Sequence, residues 1–143
     1  MATATVQVNR VLMLVDATPQ GGKVILRALH GWQTQLAEQQ LEFTAQDLSL
    51  DSSKVSGDHT KMIAIIKAMK QLVQKLPQNR KSRYELVIVH TSQNVQHWLT
   101  NSASRKAELG QTLGSYVDRL GLHFRHIRFE KRDRKTVAAL MQG

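Results

Sequence analysis

Apolar positions along the chain fall into short unbroken runs and into stripes at helical spacing. Arg10 leads into Val11-Leu12-Met13-Leu14-Val15, a continuous run that ends at Asp16 and is closed by the turn formers Thr18-Pro19-Gln20-Gly21-Gly22; this pattern predicts a buried central strand. Lys23 to Gln40 admits two readings. Val24, Leu26, Ala28, Trp32 and Leu36 suit one face of extended chain, whereas Ile25, Leu29, Trp32 and Leu36 suit a helical stripe, and the choice between the two decides the fold. Leu41 to Leu48 alternates as a half-exposed strand, and Asp51-Ser52-Ser53 with Ser56-Gly57-Asp58 then marks a loop.

A helix is predicted from about Asp58 through Met62, Ile63, Ile65, Ile66, Met69, Leu72, Val73 and Leu76, with Pro77 at its exit. The basic loop residues Arg80, Lys81 and Arg83 lead into Tyr84-Glu85-Leu86-Val87-Ile88-Val89-His90, whose unbroken apolar centre is what a strand covered on both faces needs. Ser92 or Asn94 is positioned to cap a short helix carrying Val95, Trp98 and Leu99. Ala107 to Leu120 predicts another, with Leu109, Leu113, Tyr116, Val117 and Leu120 inside and Gly121 as its stop. Leu122 to Phe129 alternates as a last strand, and Lys135 to Met141 makes a short closing helix. No internal repeat is present.

Composition narrows the function classes. With 143 residues and 41% hydrophobic content, the expectation is one domain spanning residues 1–143. No apolar run approaches the roughly 20 residues of a membrane span, and Met1 to Arg10 lacks a signal-peptide core, so a cytoplasmic protein without a membrane partner is expected. Cysteine is absent, which leaves Asp, Glu and His as the available metal ligands. Twenty Lys and Arg against eleven Asp and Glu give a formal charge of +9, which favours a polyanionic partner, nucleic acid above all. A basic solvated surface is the alternative.

The element order, a strand ending in Asp, two further extended segments, a long helix, a buried strand, helices, a strand and a closing helix, resembles that of the ribonuclease H family. The local words match too. His90-Thr91-Ser92-Gln93-Asn94-Val95-Gln96-His97-Trp98-Leu99 is similar to the family's strand-to-helix stretch, in which Asp-Ser-Gln is followed by Val and Trp-Leu. Asp58-His59-Thr60-Lys61-Met62-Ile63-Ala64 resembles the start of its first helix, with Ala64, Ala68 and Met69 supporting the register; His126-Ile127-Arg128 and Val137-Ala138-Ala139-Leu140 resemble its last strand and helix. The resemblance covers nearly the whole chain and implies a mixed five-stranded sheet flanked by helices.

That family's chemistry uses four clustered carboxylates to hold two divalent ions roughly 4 Å apart. Carried across, the first carboxylate is Asp16, the helix Glu falls on Lys61, the strand Asp on Thr91 and the last Asp on Ala138. Hard cations need anionic oxygen ligands, and an ammonium placed among them repels the ions. The resemblance therefore implies a domain that has lost two-metal hydrolysis, needs no cofactor, and binds Mg or Mn weakly at most, with Asp16 as the one metal-ligand candidate. Asp16 equally suits accepting backbone hydrogen bonds in the adjoining turn. The family's glycine-rich turn is reduced to Gly21-Gly22, and its Asp-Gly pair becomes Asp16-Ala17. Asp58 as a substitute ligand lies about one helical turn from Lys61, and Glu130 or Asp133 would require a slipped alignment.

Other charged and aromatic residues admit plainer roles as well. Arg125, Arg128, Lys131, Arg132, Arg134 and Lys135 concentrate charge near the C-terminus and are the candidate nucleic-acid contacts. The six histidines show no zinc spacing, and His123 and His126 are expected on opposite faces of one strand. His90 suits a partly buried polar role better than that of a catalytic base, and Trp98 and Tyr116 suit the core better than base stacking. If Lys23 to Gln40 is instead helical, with Thr18 as cap and Pro19 in its first position, the chain becomes a doubly wound parallel sheet of the nucleotide-binding or universal-stress type. A protein-interaction module with an apolar patch is the third reading. An antiparallel hairpin over residues 23–48 selects the first.

Overall fold

A computed structural model describes residues 9–30, 33–48, 57–75, 84–101 and 108–142. It contains β1 (Asn9–Thr18), β2 (Gly21–His30), β3 (Gln33–Thr44), α1 (Gly57–Lys75), β4 (Tyr84–His90), α2 (Gln93–Thr100), α3 (Glu108–Gly121), β5 (His126–Lys131) and α4 (Arg134–Gln142). The strands form one mixed sheet in the order β3-β2-β1-β4-β5. The β1-β2 and β2-β3 pairs are antiparallel, while β1-β4 and β4-β5 are parallel.

The ambiguous segment is resolved as extended chain, which rules out the helical reading and with it the doubly wound sheet. Its physical reason is double coverage. Val24 and Leu26 of β2 pack into one core while Ile25 packs into another on the opposite face, so apolar residues occupy consecutive positions and the period of two disappears. Arg27, only 8% exposed, hides the pattern further. Its guanidinium is held by Glu38 of β3 at 2.7 Å and donates to the Leu140 carbonyl of α4 at 3.0 Å.

The strand boundaries shift for equally local reasons. β1 does not stop at Asp16 but continues to Thr18, because Asp16 pairs with Lys23, Ala17 with Gly22 and Thr18 with Gly21. Only Pro19 and Gln20 form the turn. Gly21 there has φ +136°, and a Cβ on it would lie 2.8 Å from the Phe43 carbonyl oxygen, so both its conformation and the close approach of β3 call for glycine. β3 begins well before Leu41 and ends at Thr44, where Asp47 and Thr44 close a turn through the Thr44 N–H to Asp47 Oδ2 bond of 2.8 Å.

The last strand starts at His126, not Leu122. Residues 122–124 instead prolong the end of α3, with their N–H groups donating to the carbonyls of Arg119, Leu120 and Gly121. Leu122 is 83% exposed; its apparent alternation with Phe124 comes from a turn, not from pleating. His123 therefore lies outside the strand, and the expectation that it and His126 face opposite sides of one strand is overturned. The loop around Asp51, the exit at Pro77, the basic residues Arg80, Lys81 and Arg83, and Trp32 lie outside the described residues.

Two cores sandwich the sheet. Val11, Met13, Val15 and Ala17 of β1 meet Met62, Ile65 and Met69 of α1, Val95 and Leu99 of α2, and Leu113 and Val117 of α3. Leu14, with Val87 and Val89 of β4, meets Val137 and Met141 of α4 on the other face. Alternation along the strand makes this division. Tyr116 departs from its expected core role: it is 41% exposed, with Lys70 Nζ 5.2 Å and the Arg119 guanidinium 5.5 Å from its ring centre. Among the described residues no helix is long and apolar enough to cross a membrane.

Ile88 is fully buried at the centre of β4. Ile88→Ala is expected to cost about 2 to 5 kcal/mol in urea unfolding, while Tyr116→Ala costs under about 1 kcal/mol. Equal losses would contradict the assignment of the core.

Candidate functional site

The parallel pairing of β1 with β4 sets the geometry of the candidate site. Leu14 lies beside Val89, and continuing that register by two residues brings Asp16 level with Thr91 at the C-terminal edge of the two central strands. Such edges are where open α/β sheets hold ligands. Asp16 shares the face of Leu12 and Leu14, and lines a groove of about 500 Å³ with Thr18, Gln20, Gly21, Gly22, Lys23, Glu42, Phe43 and Arg134. On the other side of the sheet, α1 starts against the β1-β2 turn, a Cβ on Gly57 lying 3.9 Å from Pro19 Cδ and the same distance from Lys61 Nζ.

A hydrogen-bond network ties these elements together. His90, the last residue of β4, has no exposed surface. Its Nδ1 accepts the Ser92 backbone N–H at 3.2 Å, so its hydrogen sits on Nε2 and is donated to Gln96 Oε1 at 2.7 Å. Gln96 passes the connection to β5 by donating to the Phe129 carbonyl at 2.8 Å. Ser92 caps α2 by accepting the Val95 N–H at 3.2 Å, and its hydroxyl donates to Asp58 Oδ1 at 2.5 Å. Asn94 donates to the second Asp58 oxygen at 2.9 Å. His59 stacks on Trp98 with ring centres 5.3 Å apart, so Trp98 packs at the core margin as expected.

The electrostatics follow from this arrangement. Burial lowers the His90 pKa, the Gln96 bond opposes it, and the charges of Lys61 and Lys131 lower it further. The imidazole is thus a neutral structural link, in line with its expected polar role. Burial raises the Asp58 pKa, but the Ser92 and Asn94 bonds with the charges of Lys61 and His59 outweigh it, and the net shift is downward. Asp133 is held low by hydrogen bonds from the Thr136 side chain and from the Thr136 N–H, the latter at 2.7 Å, which makes it the cap of α4.

The four positions matched to the family's carboxylates offer Asp16, the Lys61 ammonium on α1, the Thr91 hydroxyl after β4 and the Ala138 methyl on α4. One carboxylate, one ammonium, one hydroxyl and one methyl do not fit a pair of hard divalent ions. Among the described residues no three His, Asp or Glu side chains converge on a point. Asp58 has both oxygens occupied, and Glu130 is engaged by Arg128 at 3.4 Å and Arg132 at 3.1 Å.

The six basic candidates do not form one cluster. Lys131 and Arg134 reach the C-terminal edge, Lys135 follows on α4, Arg128 and Arg132 are bound to Glu130, and Arg125 lies at the opposite end of β5 beside Tyr84. Lys23 joins the groove without having been singled out. Its cross-strand position opposite Asp16 depends on a hairpin that the sequence left open. The link from Asp58 to Ser92 spans 34 positions and carries no periodic signal.

No known family's profile and no curated protein sequence matches the chain. Solved structures do. The ribonuclease H1 of the halophilic archaeon Halobacterium salinarum is 11% identical with a TM-score of 0.58, over 91% of this chain and 89% of that one. The N-terminal ribonuclease H domain of a Mycobacterium tuberculosis protein, solved as a fusion with maltose-binding protein, is 14% identical with a TM-score of 0.59, over 91% and 86%. A ribonuclease H1 isolated from compost by metagenomics is 10% identical with a TM-score of 0.56, over 94% and 90%. The chain has a ribonuclease H-like fold.

The neutral His90 predicts a pH dependence of stability. Its folded pKa lies below the ordinary value of 6.5, so the unfolded chain takes up the proton first as pH falls. The stabilisation is full above about pH 6.5 and is lost progressively as pH drops toward the folded pKa. His90→Gln is expected to flatten the fall in unfolding free energy between about pH 7.5 and 5 in urea titrations; an unchanged slope would show that His90 is charged in the folded protein.

Proposed function

We propose that this chain is a ribonuclease H-like domain that binds RNA, DNA or an RNA–DNA hybrid through its basic surface without cutting it. One observation carries the reading: where the family's chemistry needs four carboxylates, this chain has Asp16, Lys61, Thr91 and Ala138. Hydrolysis of a phosphodiester by two ions depends on anionic ligands that hold both, and a lysine at the position matched to the family's helix Glu supports the loss of that chemistry, because an ammonium repels such ions. The net charge of +9 supplies the complementary attraction to a phosphate backbone. The solved structures of like fold carry the name ribonuclease H, which supports nucleic acid as the partner class. The surface from Arg125 to Lys135 supports contacts to phosphates, which set position and carry no sequence information.

The test is a fluorescence-anisotropy titration of hybrid, duplex and single strands in Mg or Mn, with products scored on gels from the same samples. Binding that weakens linearly in log affinity against log salt, with intact strands, is expected, and strands stay intact with Asp16→Asn as well. Cleavage that disappears in Asp16→Asn would establish a working hydrolase; no salt-dependent binding to any of the strands would remove nucleic acid as the partner.

A further inference from the structure

We infer that Lys23, Lys61, Lys131 and Arg134 form a metal-free phosphate track along the C-terminal edge of the sheet, an inference that rests on the nucleic-acid reading above. Their convergence on one edge carries it. Arg10 is paired with Glu85, Arg27 with Glu38, and Arg128 and Arg132 with Glu130, while Lys70 and Arg119 lie over the Tyr116 ring. Lys23, Lys61, Lys131 and Arg134, like Lys67, Arg125 and Lys135, make no ion pair or side-chain hydrogen bond among the described residues.

Four different elements, the start of β2, the first turns of α1 and α4 and the end of β5, bring these charges to one edge. Lys23 and Arg134 share the groove with Asp16, and the charges of Lys61 and Lys131 both bear on His90. The carboxylates nearby are already committed. Asp58 is bound by Ser92 and Asn94, Asp133 caps α4, Glu130 holds two arginines, and Glu42 accepts the Gln40 amide. Asp16 alone does not neutralise four cations.

The spread selects the ligand. From β2 to β5 are three interstrand spacings, about 14 Å at roughly 4.8 Å each. That is wider than one phosphate and spans about four nucleotide steps at a rise of about 3.4 Å. A polynucleotide backbone fits where a single anion leaves two cations unused. Fixed ammonium and guanidinium groups here do the neutralising that a divalent ion does between carboxylates, so attachment needs no metal.

Each phosphate contact removed lowers the salt slope by about one, which is about tenfold in affinity at 0.1 M salt. Anisotropy titrations with a short RNA–DNA hybrid in EDTA, from low to high salt, measure this for Lys23→Gln, Lys61→Gln, Lys131→Gln and Arg134→Gln, with Lys70→Gln and Arg119→Gln, beside Tyr116, as comparisons. The four edge variants are expected to lose slope and affinity, the two comparisons to keep both, and Lys61→Arg to retain the slope, with thermal melts confirming folding. Wild-type binding that survives unchanged in all four edge variants, or that EDTA abolishes, overturns the track while leaving the nucleic-acid reading in place. Wild-type protein that binds no strand overturns that reading first and the track with it.

Discussion

A buried, neutral imidazole organises the working edge of this protein. His90 ends the central strand β4, and its two ring nitrogens connect it backward to the Ser92 backbone and forward through Gln96 to β5. Ser92 in turn caps α2 and reaches Asp58 on α1. A buried polar group without partners costs free energy. The demand that these groups all be satisfied fixes the mutual placement of α1, β4, α2 and β5 at the place where Lys61 and Lys131 project. The charges of both lysines bear on His90.

The sheet supplies the other half of the arrangement. Antiparallel β2 and parallel β4 flank β1, so the start of β2 and the ends of β1, β4 and β5 share one edge. The α4 helix then returns across the opposite face, anchored by Val137 and Met141 in the smaller core and by the Arg27 bond to the Leu140 carbonyl. Its first residue, Arg134, is left beside Asp16. The positions matched to the resembled family's four carboxylates hold Asp16, Lys61, Thr91 and Ala138 in this chain, and none of them belongs to either core.

The sequence made the architecture legible wherever burial leaves a period. Helix α1 reads directly from Met62, Ile65, Ile66 and Met69, and β4 from its unbroken apolar centre, because each faces the core in a regular way. Ser92 was legible as a cap from its residue type and place. Strand β2 was not, since it is buried on both faces and carries the internal arginine Arg27, and no local rule separates that pattern from a helix. Leu122 and Phe124 imitated a strand because turns also alternate exposed and buried residues. At the site, Asp16, Lys61 and Thr91 could be set in order from the motif words, and Lys131 and Arg134 from charge density. Lys23 and the Asp58 link to Ser92 could not, because their meaning comes from contacts between distant segments.

The central claim is that the C-terminal edge recognises phosphates with its own cations. Amide-resolved nuclear magnetic resonance tests it most directly, by titrating the labelled protein first with magnesium and then, in EDTA, with an RNA–DNA hybrid. The account predicts that magnesium leaves the edge undisturbed and that the hybrid moves the amides around Gly22, Lys23, Lys61, Thr91, Lys131 and Arg134 together. Shifts at Asp16 and Thr91 on magnesium alone, or hybrid-induced shifts confined to the face of α1 and α3 around Tyr116, would contradict it.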